Sequence, residues 1–274
     1  MKKIFLILCF AVVLLLAIFL LFPVYWMVKG GFENLGSIMK IPPSFILRTA
    51  TFDNYIQLFT TFPILRWTLN SLIIAGATVV ISVFTSCLSG YAFAKKNFPG
   101  KNIIFWVLLS TMMIPFHVTI IPLFLLMRDL GLHNTYPGVF LPSCAVAGGM
   151  FLARQYMSTI PSAFIDSARI DGASEFRIFL SVIVPLSRPL IAALSIFSFV
   201  GAWGNFLWPL IMTSSDSSRT LPIGIVGASA VPGDLTNIGI AMAGATLVAL
   251  PLFIVFFCFQ KYFVIGLRMG AIKG

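Results

Sequence analysis

A chain of 274 residues with 59% hydrophobic and 9% charged side chains, 28 of them phenylalanine, cannot cover itself with a water-facing surface, so a soluble domain is excluded. The formal net charge of +10 does not point to nucleic acid, because the basic residues lie scattered between apolar runs and form no patch interleaved with aromatics. Basic loops beside a membrane explain it better, and the composition predicts an all-α, polytopic membrane protein.

The chain starts Met1-Lys2-Lys3 and then runs from Ile4 to Val28 without a charge. As a helix that run reaches about 37 Å, enough to cross a hydrocarbon core of about 30 Å. A secretory leader has the same basic start but a shorter apolar region and a small-residue cleavage site, whereas bulky Phe22-Pro23-Val24-Tyr25-Trp26 stands here. An uncleaved first span, 4–28, is therefore expected. Five further apolar runs, 67–94, 103–127, 136–157, 190–212 and 238–264, predict six spans in a single transmembrane domain covering 1–274. Between them lie turn-forming and charged interruptions such as Lys95 to Lys101 and Asp216 to Asp234. Cys9, Cys87, Cys144 and Cys258 each sit in an apolar run with no CxxC spacing, and are read as small core residues.

With the N-terminus inside, twelve lysines and arginines fall on the inner side of the spans and six on the outer, which predicts both termini in the cytoplasm. The same count puts residues 161–189 on the cytoplasmic side, between spans four and five. That segment gathers Asp166, Arg169, Asp171, Glu175 and Arg177. Five charges at about 2.5 to 3.5 kcal/mol each would oppose insertion by roughly 12 kcal/mol or more, so it stays outside the hydrocarbon.

Within it Pro161 can begin a short helix and Asp171-Gly172 can end it, since glycine accepts the left-handed backbone of a helix stop. Ser174 can cap a second helix whose apolar face is Phe176, Phe179, Leu180 and Ile183. Ser167 and Ala168 are small enough for another protein to approach the backbone, with Phe164 and Ile165 as apolar contacts. A docking element and a solvated loop packed on its own domain both fit this pattern.

Asp166-Ser167-Ala168, then Gly172 after three intervening residues, then Val182-Ile183-Val184-Pro185 after nine more, resembles the EAA loop of permease subunits in ATP-binding cassette importers. The departures leave Ala168, Gly172 and Pro185 identical to that pattern. The longer runs ARIDGAS (168–174) and PLSRP (185–189) and the ending GLRMGAIKG (266–274) are similar to the carbohydrate-uptake branch, the maltose-type G permease in particular, over essentially the whole chain. The resemblance implies that Phe164, Ile165, Asp166, Ser167, Ala168, Arg169, Asp171 and Gly172 form a coupling helix seated in a cytoplasmic ATPase, with the tail Gly270 to Gly274 as a second contact. It also implies a second permease subunit in a heterodimer, two copies of an ATP-binding subunit, and an extracytoplasmic solute-binding protein faced by the outer segment 214–237. Location would be the bacterial cytoplasmic membrane, and the cargo a sugar or oligosaccharide, with glycerol phosphate or another polyol-like solute as the alternative.

No GxxxxGK[ST] phosphate loop occurs, Gly100-Lys101 being followed by Asn102, so no cofactor is expected in this chain and ATP and Mg would be used by the partner ATPase. Nor are paired carboxylates, a metal cluster or a nucleophile with its base visible, which argues against an enzyme. A stand-alone ion-coupled transporter would need buried acids in its spans, yet all eight acidic residues lie in connecting segments. For the solute path Asn70, His117, Trp203, Asn205 and Trp208 are the candidates, as polar or aromatic groups within spans; each can equally serve packing.

Overall fold

The computed structural model describes residues 2–229 and 237–271, with side chains placed for 2–228 and 237–261. It is all-helical, with no β-strand among the described residues. Three helices are long and apolar enough to cross a membrane: Lys2–Gly31, Ile64–Lys95 and the Ile238–Lys261 part of Ile238–Ala271. Three sharply bent helix pairs bring the number to as many as six if each is one span.

Those bends interrupt the predicted runs. The 103–127 run is split into Lys101–Met113 and Phe116–Asp129, which meet at 102°. Ile114 is extended there (φ −85°, ψ 117°) because it precedes Pro115, whose ring disfavours the helical region for its neighbour. The 136–157 run bends by 45° across Cys144 to Val146. The third bent pair is Glu175–Leu186 with Arg188–Trp203, which meet at 83° around Ser187, so the helix of the predicted 190–212 run begins at Arg188. That run is also interrupted without being one of the three bends: its helix stops at Trp203, with Gly204 as the C-cap, and the chain resumes as a helix at Leu207.

The chain forms two compact units, 1–66 with 221–251 and 67–220 with 252–274. In the first, the Lys2–Gly31 helix is exposed through Phe22 and buries only its end, at Lys29, Gly30 and Gly31. Glycine is required there: a Cβ on Gly31 would lie 3.1 Å from Ala243 Cα. The helix end is closed by Asn54, whose Nδ2 donates to the carbonyls of Gly31 and Glu33 (3.1 and 2.7 Å). Beside it Lys29 and Glu33 form a buried pair at 2.6 Å, with the ammonium 4.6 Å from the Trp26 ring centroid.

The second unit is held by a helix seam of small residues. Ser86 and Gly90, one turn apart on Ile64–Lys95, face Gly149 and Ala153, one turn apart on Ala147–Ser158. A Cβ on Gly90 would stand 2.8 Å from the Ala153 carbonyl carbon, so the two backbones touch. Where lipid removes the hydrophobic incentive for helices to associate, such close approach is what holds them together. Around the seam Cys87, Tyr91, Met157, Ile178, Phe179, Ile183 and Leu190 form the main core. Two of the four cysteines, Cys87 and Cys144, are buried as expected; Cys9 and Cys258 are exposed, because the outward faces of their helices have no protein packed on them.

Candidate functional site

Residues 161–187 form a knuckle anchored on that core. Ser162 precedes an eight-residue helix, Ala163–Ile170, that ends in a glycine-dependent stop. Gly172 has φ +79°, its amide donates to the Arg169 carbonyl (3.0 Å), and the Ala173 amide donates to Ala168 (3.0 Å). This paired bonding satisfies the orphan carbonyls of the last turn and needs a left-handed residue at 172. Ser174 then caps the Glu175–Ile178 helix, accepting from the Arg177 amide.

Beyond Ile178 the chain departs from the predicted pattern. Phe179–Ile183 is a π-turn, in which the Val184 amide reaches back five residues to Phe179. The wider turn rotates the inner face to Ile178, Phe179 and Ile183, all at most 1% exposed, and leaves Phe176 and Leu180 outside (56% and 45% exposed). Four residues at α-helical spacing are therefore not one buried face.

The first short helix has a similar inversion. Ile165 is 3% exposed and belongs to the core, so it anchors the knuckle and offers no outward contact. Ile170, 87% exposed at the tip, presents the apolar surface together with Phe164. Asp166, Ser167, Arg169, Asp171 and Gly172 are also exposed, and Ala168 is half-buried. An eight-residue helix has too few turns for its sequence to reveal which side packs.

The charges of this segment clamp it. Arg169 donates to Glu175 (Nε to Oε1, 3.1 Å) and pairs with Asp166 (3.3 Å). Glu175 also accepts from the Tyr91 hydroxyl (3.1 Å) and from Lys96, which ties the knuckle to the end of Ile64–Lys95. The hydrogen bond from Lys96 holds the Glu175 carboxyl below its ordinary range.

A second feature lies where the helices break. A cavity of about 520 Å³ is lined by Thr111, Met112 and Ile114 at the first break, Ser143, Ala145 and Val146 at the second, and Asn205 at the break after Trp203, with Phe116, Thr119 and Trp208 completing the wall. It shares Ser143 and Val146 with a cleft of about 400 Å³ that is lined by Thr78, Ser82 and Ser86 of one helix and Ser198 of another. Neither set of lining residues contains a charged side chain. The hydroxyls recur every four residues on Ile64–Lys95, a spacing visible in the sequence but indistinguishable there from helix packing. Packing is part of their role: Ser82 Oγ donates to Ser198 Oγ at 2.8 Å.

Of the five path candidates, Asn205 and Trp208 line this cavity. Asn205 is half-buried and its amide makes no hydrogen bond among the described residues, whereas the Trp208 indole donates to the Gly138 carbonyl (3.1 Å). Asn70 does not line it. Its amide donates to Ser217 and Arg219 carbonyls (3.0 and 2.7 Å) and accepts from the Tyr136 hydroxyl (2.7 Å), tethering a distant loop. His117 is exposed beside the Phe116 ring, and Trp203 is buried against Phe199. Trp203 is the last residue of its helix, and Asn205 lies in the break that follows. In the tail, residues 272–274 lie outside the described residues, as do 230–236 of the outer segment.

Residues 82–269, which contain the knuckle and most of the cavity, match the family described as binding-protein-dependent transport system inner membrane component. The chain belongs to this permease family. It is 36% identical to the arabinooligosaccharides transport system permease protein AraQ of Bacillus subtilis (strain 168), over 95% of this chain and 93% of the relative. It is also 36% identical to the lactose transport system permease protein LacG of Rhizobium radiobacter, over 95% and 94%. The permease fold is similar to a chain of a bacterial ABC transporter involved in the import of the acidic polysaccharide alginate, with a TM-score of 0.85 at 21% identity, covering 96% of this chain and 97% of that one.

Proposed function

We propose that the protein is one half of a heterodimeric permease in an ATP-binding cassette importer for a neutral sugar or oligosaccharide. It crosses the bacterial cytoplasmic membrane six times, with both termini and the 161–187 knuckle inside. An extracytoplasmic binding protein delivers the solute. Two copies of a separate ATP-binding subunit hydrolyse MgATP, and the knuckle, through Phe164, Ser167 and Ile170, carries their closure into the core behind Ile165 and Phe179. The chain holds no catalytic residue of its own; its work is to position and to move.

The observation that carries the substrate class is the cavity at the three breaks, where hydroxyls, the free Asn205 amide and two aromatic rings meet without a charge. Hydroxyl and amide groups exchange hydrogen bonds with a sugar, and aromatic faces cover its apolar side, whereas a phosphate ester leaves a desolvated dianion unless a cation faces it. Glycerol phosphate is the second reading, because the chain is 31% identical to the sn-glycerol-3-phosphate transport system permease protein UgpE of Yersinia pestis. The test is ATP-driven uptake by the assembled importer in vesicles, comparing labelled arabinooligosaccharide, lactose and glycerol phosphate. Uptake of a neutral sugar supports the proposal; uptake of glycerol phosphate alone overturns it.

A further inference from the structure

At the same end of the helices as the knuckle, a polar cavity of about 610 Å³ opens beside the Phe98-to-Lys101 turn. Its walls are Asn97, Asn102, Lys101 and Arg154, with Phe98 and Ile103 at the sides. Nothing in the importer reading uses it.

Three facts set Arg154 apart. Its guanidinium carbon lies 3.8 Å from the centroid of the Phe105 ring, so the fork is held in place by an aromatic face. Among the described residues, no carboxylate stands within 4.0 Å of it or of Lys101. Among the described residues none of its donors has a protein acceptor, although the residue is half-buried. Of the cations in the adjoining turn and knuckle, Lys95 donates to the Ile160 carbonyl, Lys96 to Glu175, and Arg169 to Asp166 and Glu175, while Arg177 and Arg188 are exposed where Arg154 is half-buried. Arg154 is thus a positioned fork with donors to offer, and Lys101, which gives one bond to the Lys96 carbonyl (2.6 Å), has two more.

What lies beside this pair decides the ligand. From Ile103 onward the Lys101–Ser110 helix turns an apolar strip outward, with Ile103 72%, Trp106 68% and Val107 58% exposed. A ligand that fits must carry an anion for Arg154 and Lys101 and hydrocarbon for this strip. We infer that this is a binding site for an anionic phospholipid, its phosphate on the Arg154 fork and Lys101 and its acyl chains along Ile103, Trp106 and Val107. Planar, bidentate recognition of phosphate is what a guanidinium does best, and basic pockets between spans are suited to such headgroups. The inference goes beyond the transport reading and needs only that the chain is a membrane protein.

The experiment uses the complete importer in vesicles of phosphatidylcholine with or without phosphatidylglycerol, carrying a photoactivatable phosphatidylglycerol. Labelled peptides are then mapped. Label is expected on the segments containing 97–107 and Arg154, to fall about fivefold in Arg154→Gln and in Lys101→Gln, and to fall less in Arg154→Lys. A photoactivatable phosphatidylcholine should give background labelling only. Equal labelling by the two lipids, or labelling unchanged in both glutamine variants, overturns the inference; so does full protection by inorganic phosphate, which would mark a free-anion site. Lys101→Gln, at a half-buried helix start away from the Phe105 stack, covers the case in which loss of that stack prevents assembly of Arg154→Gln. ATP-driven sugar uptake in the same vesicles is read separately: label without uptake counts against the proposed function and leaves the lipid site standing.

Discussion

Gly172 offers a test in which one torsion angle is varied and nothing else. Its φ of +79° is a conformation that costs an L-residue about 1 to 2 kcal/mol, and a Cβ placed there meets no atom within 4 Å. Within this chain a series at this position therefore measures backbone cost free of packing, and hydrogen exchange on the permease without the ATPase separates that cost from any effect of the new side chain at the docking contact. Asn tolerates the left-handed region best, Ala bears the ordinary penalty and a β-branched Val the largest. Because 1.4 kcal/mol is a factor of ten, Gly172→Val should shift the balance between the ordered and the unwound turn by tenfold or more. Unwinding breaks the Ala173-to-Ala168 and Gly172-to-Arg169 bonds and loosens the clamp between Arg169 and Glu175. Insertion should be normal, since the residue lies outside the apolar runs. ATP-driven uptake and ATP hydrolysis are measured on the assembled importer, with hydrogen exchange over 163–175 as the local readout. The expected order of uptake is Gly, then Asn, Ala and Val, with hydrolysis falling less than uptake. Full uptake by Gly172→Val, or an Asn variant as impaired as Val, would refute the reasoning.

The other predictions concern the core, the clamp, the seam and the cavity. Ile165→Ser should destabilise the folded protein by about 2 to 5 kcal/mol in thermal unfolding, whereas Ile170→Ser should leave unfolding unchanged and abolish cysteine crosslinking of Ser167→Cys to the ATPase subunit. A carboxyl held below its ordinary range binds its proton more weakly folded than unfolded, so the Glu175 clamp is complete at neutral pH and is lost as pH falls below about 4.5; Glu175→Gln should remove that acid dependence from exchange over 163–175, with the modest amplitude of about 1 kcal/mol or less that exposed pairs show. Gly90→Val should cost about 1 to 3 kcal/mol by driving apart two touching backbones, and Ala153→Gly in the same chain should recover part of it, both read as the midpoint of thermal unfolding. Asn205→Ala should lower uptake with unfolding unchanged, while Asn70→Ala, which removes a buried amide that holds the Ser217 and Arg219 carbonyls, should lower the unfolding midpoint.

Legibility followed the range of the interactions. Apolar runs, the Asp171-Gly172 stop and the Ser174 cap are local, and residues within four positions decide them. The break after Ile114 was also written locally, in Pro115, but a hydropathy window passes over a single proline. By contrast the Val146 break carries no glycine or proline at the turn itself, and is set by what packs around it: Thr85 donates to the Cys144 carbonyl at 2.6 Å from 59 residues away. Asn70 shows the same limit, its partners lying 147 and 149 residues downstream. A polar residue in a span announces that it needs a partner, and only the fold says whether that partner is protein or solute.

The placement of the breaks follows from the solvent. In hydrocarbon an unpaired amide or carbonyl costs several kcal/mol, so irregular backbone at membrane depth survives only inside protein or against a cavity that can supply hydrogen bonds. Here the breaks at Ile114, at Cys144 to Val146 and at Gly204 to Phe206 all border one cavity, and the groups freed at one of them are met by Thr85. Water or solute in a cavity placed there can bond polar groups that a continuous helix would have paired with itself. A polyhydroxylated solute suits that role because it brings donors and acceptors together. The exposed knuckle and the hydroxyl-lined cavity are then joined by one core, through the helix Ile64–Lys95, whose Ser82 and Ser86 line the cleft and whose Tyr91 holds Glu175.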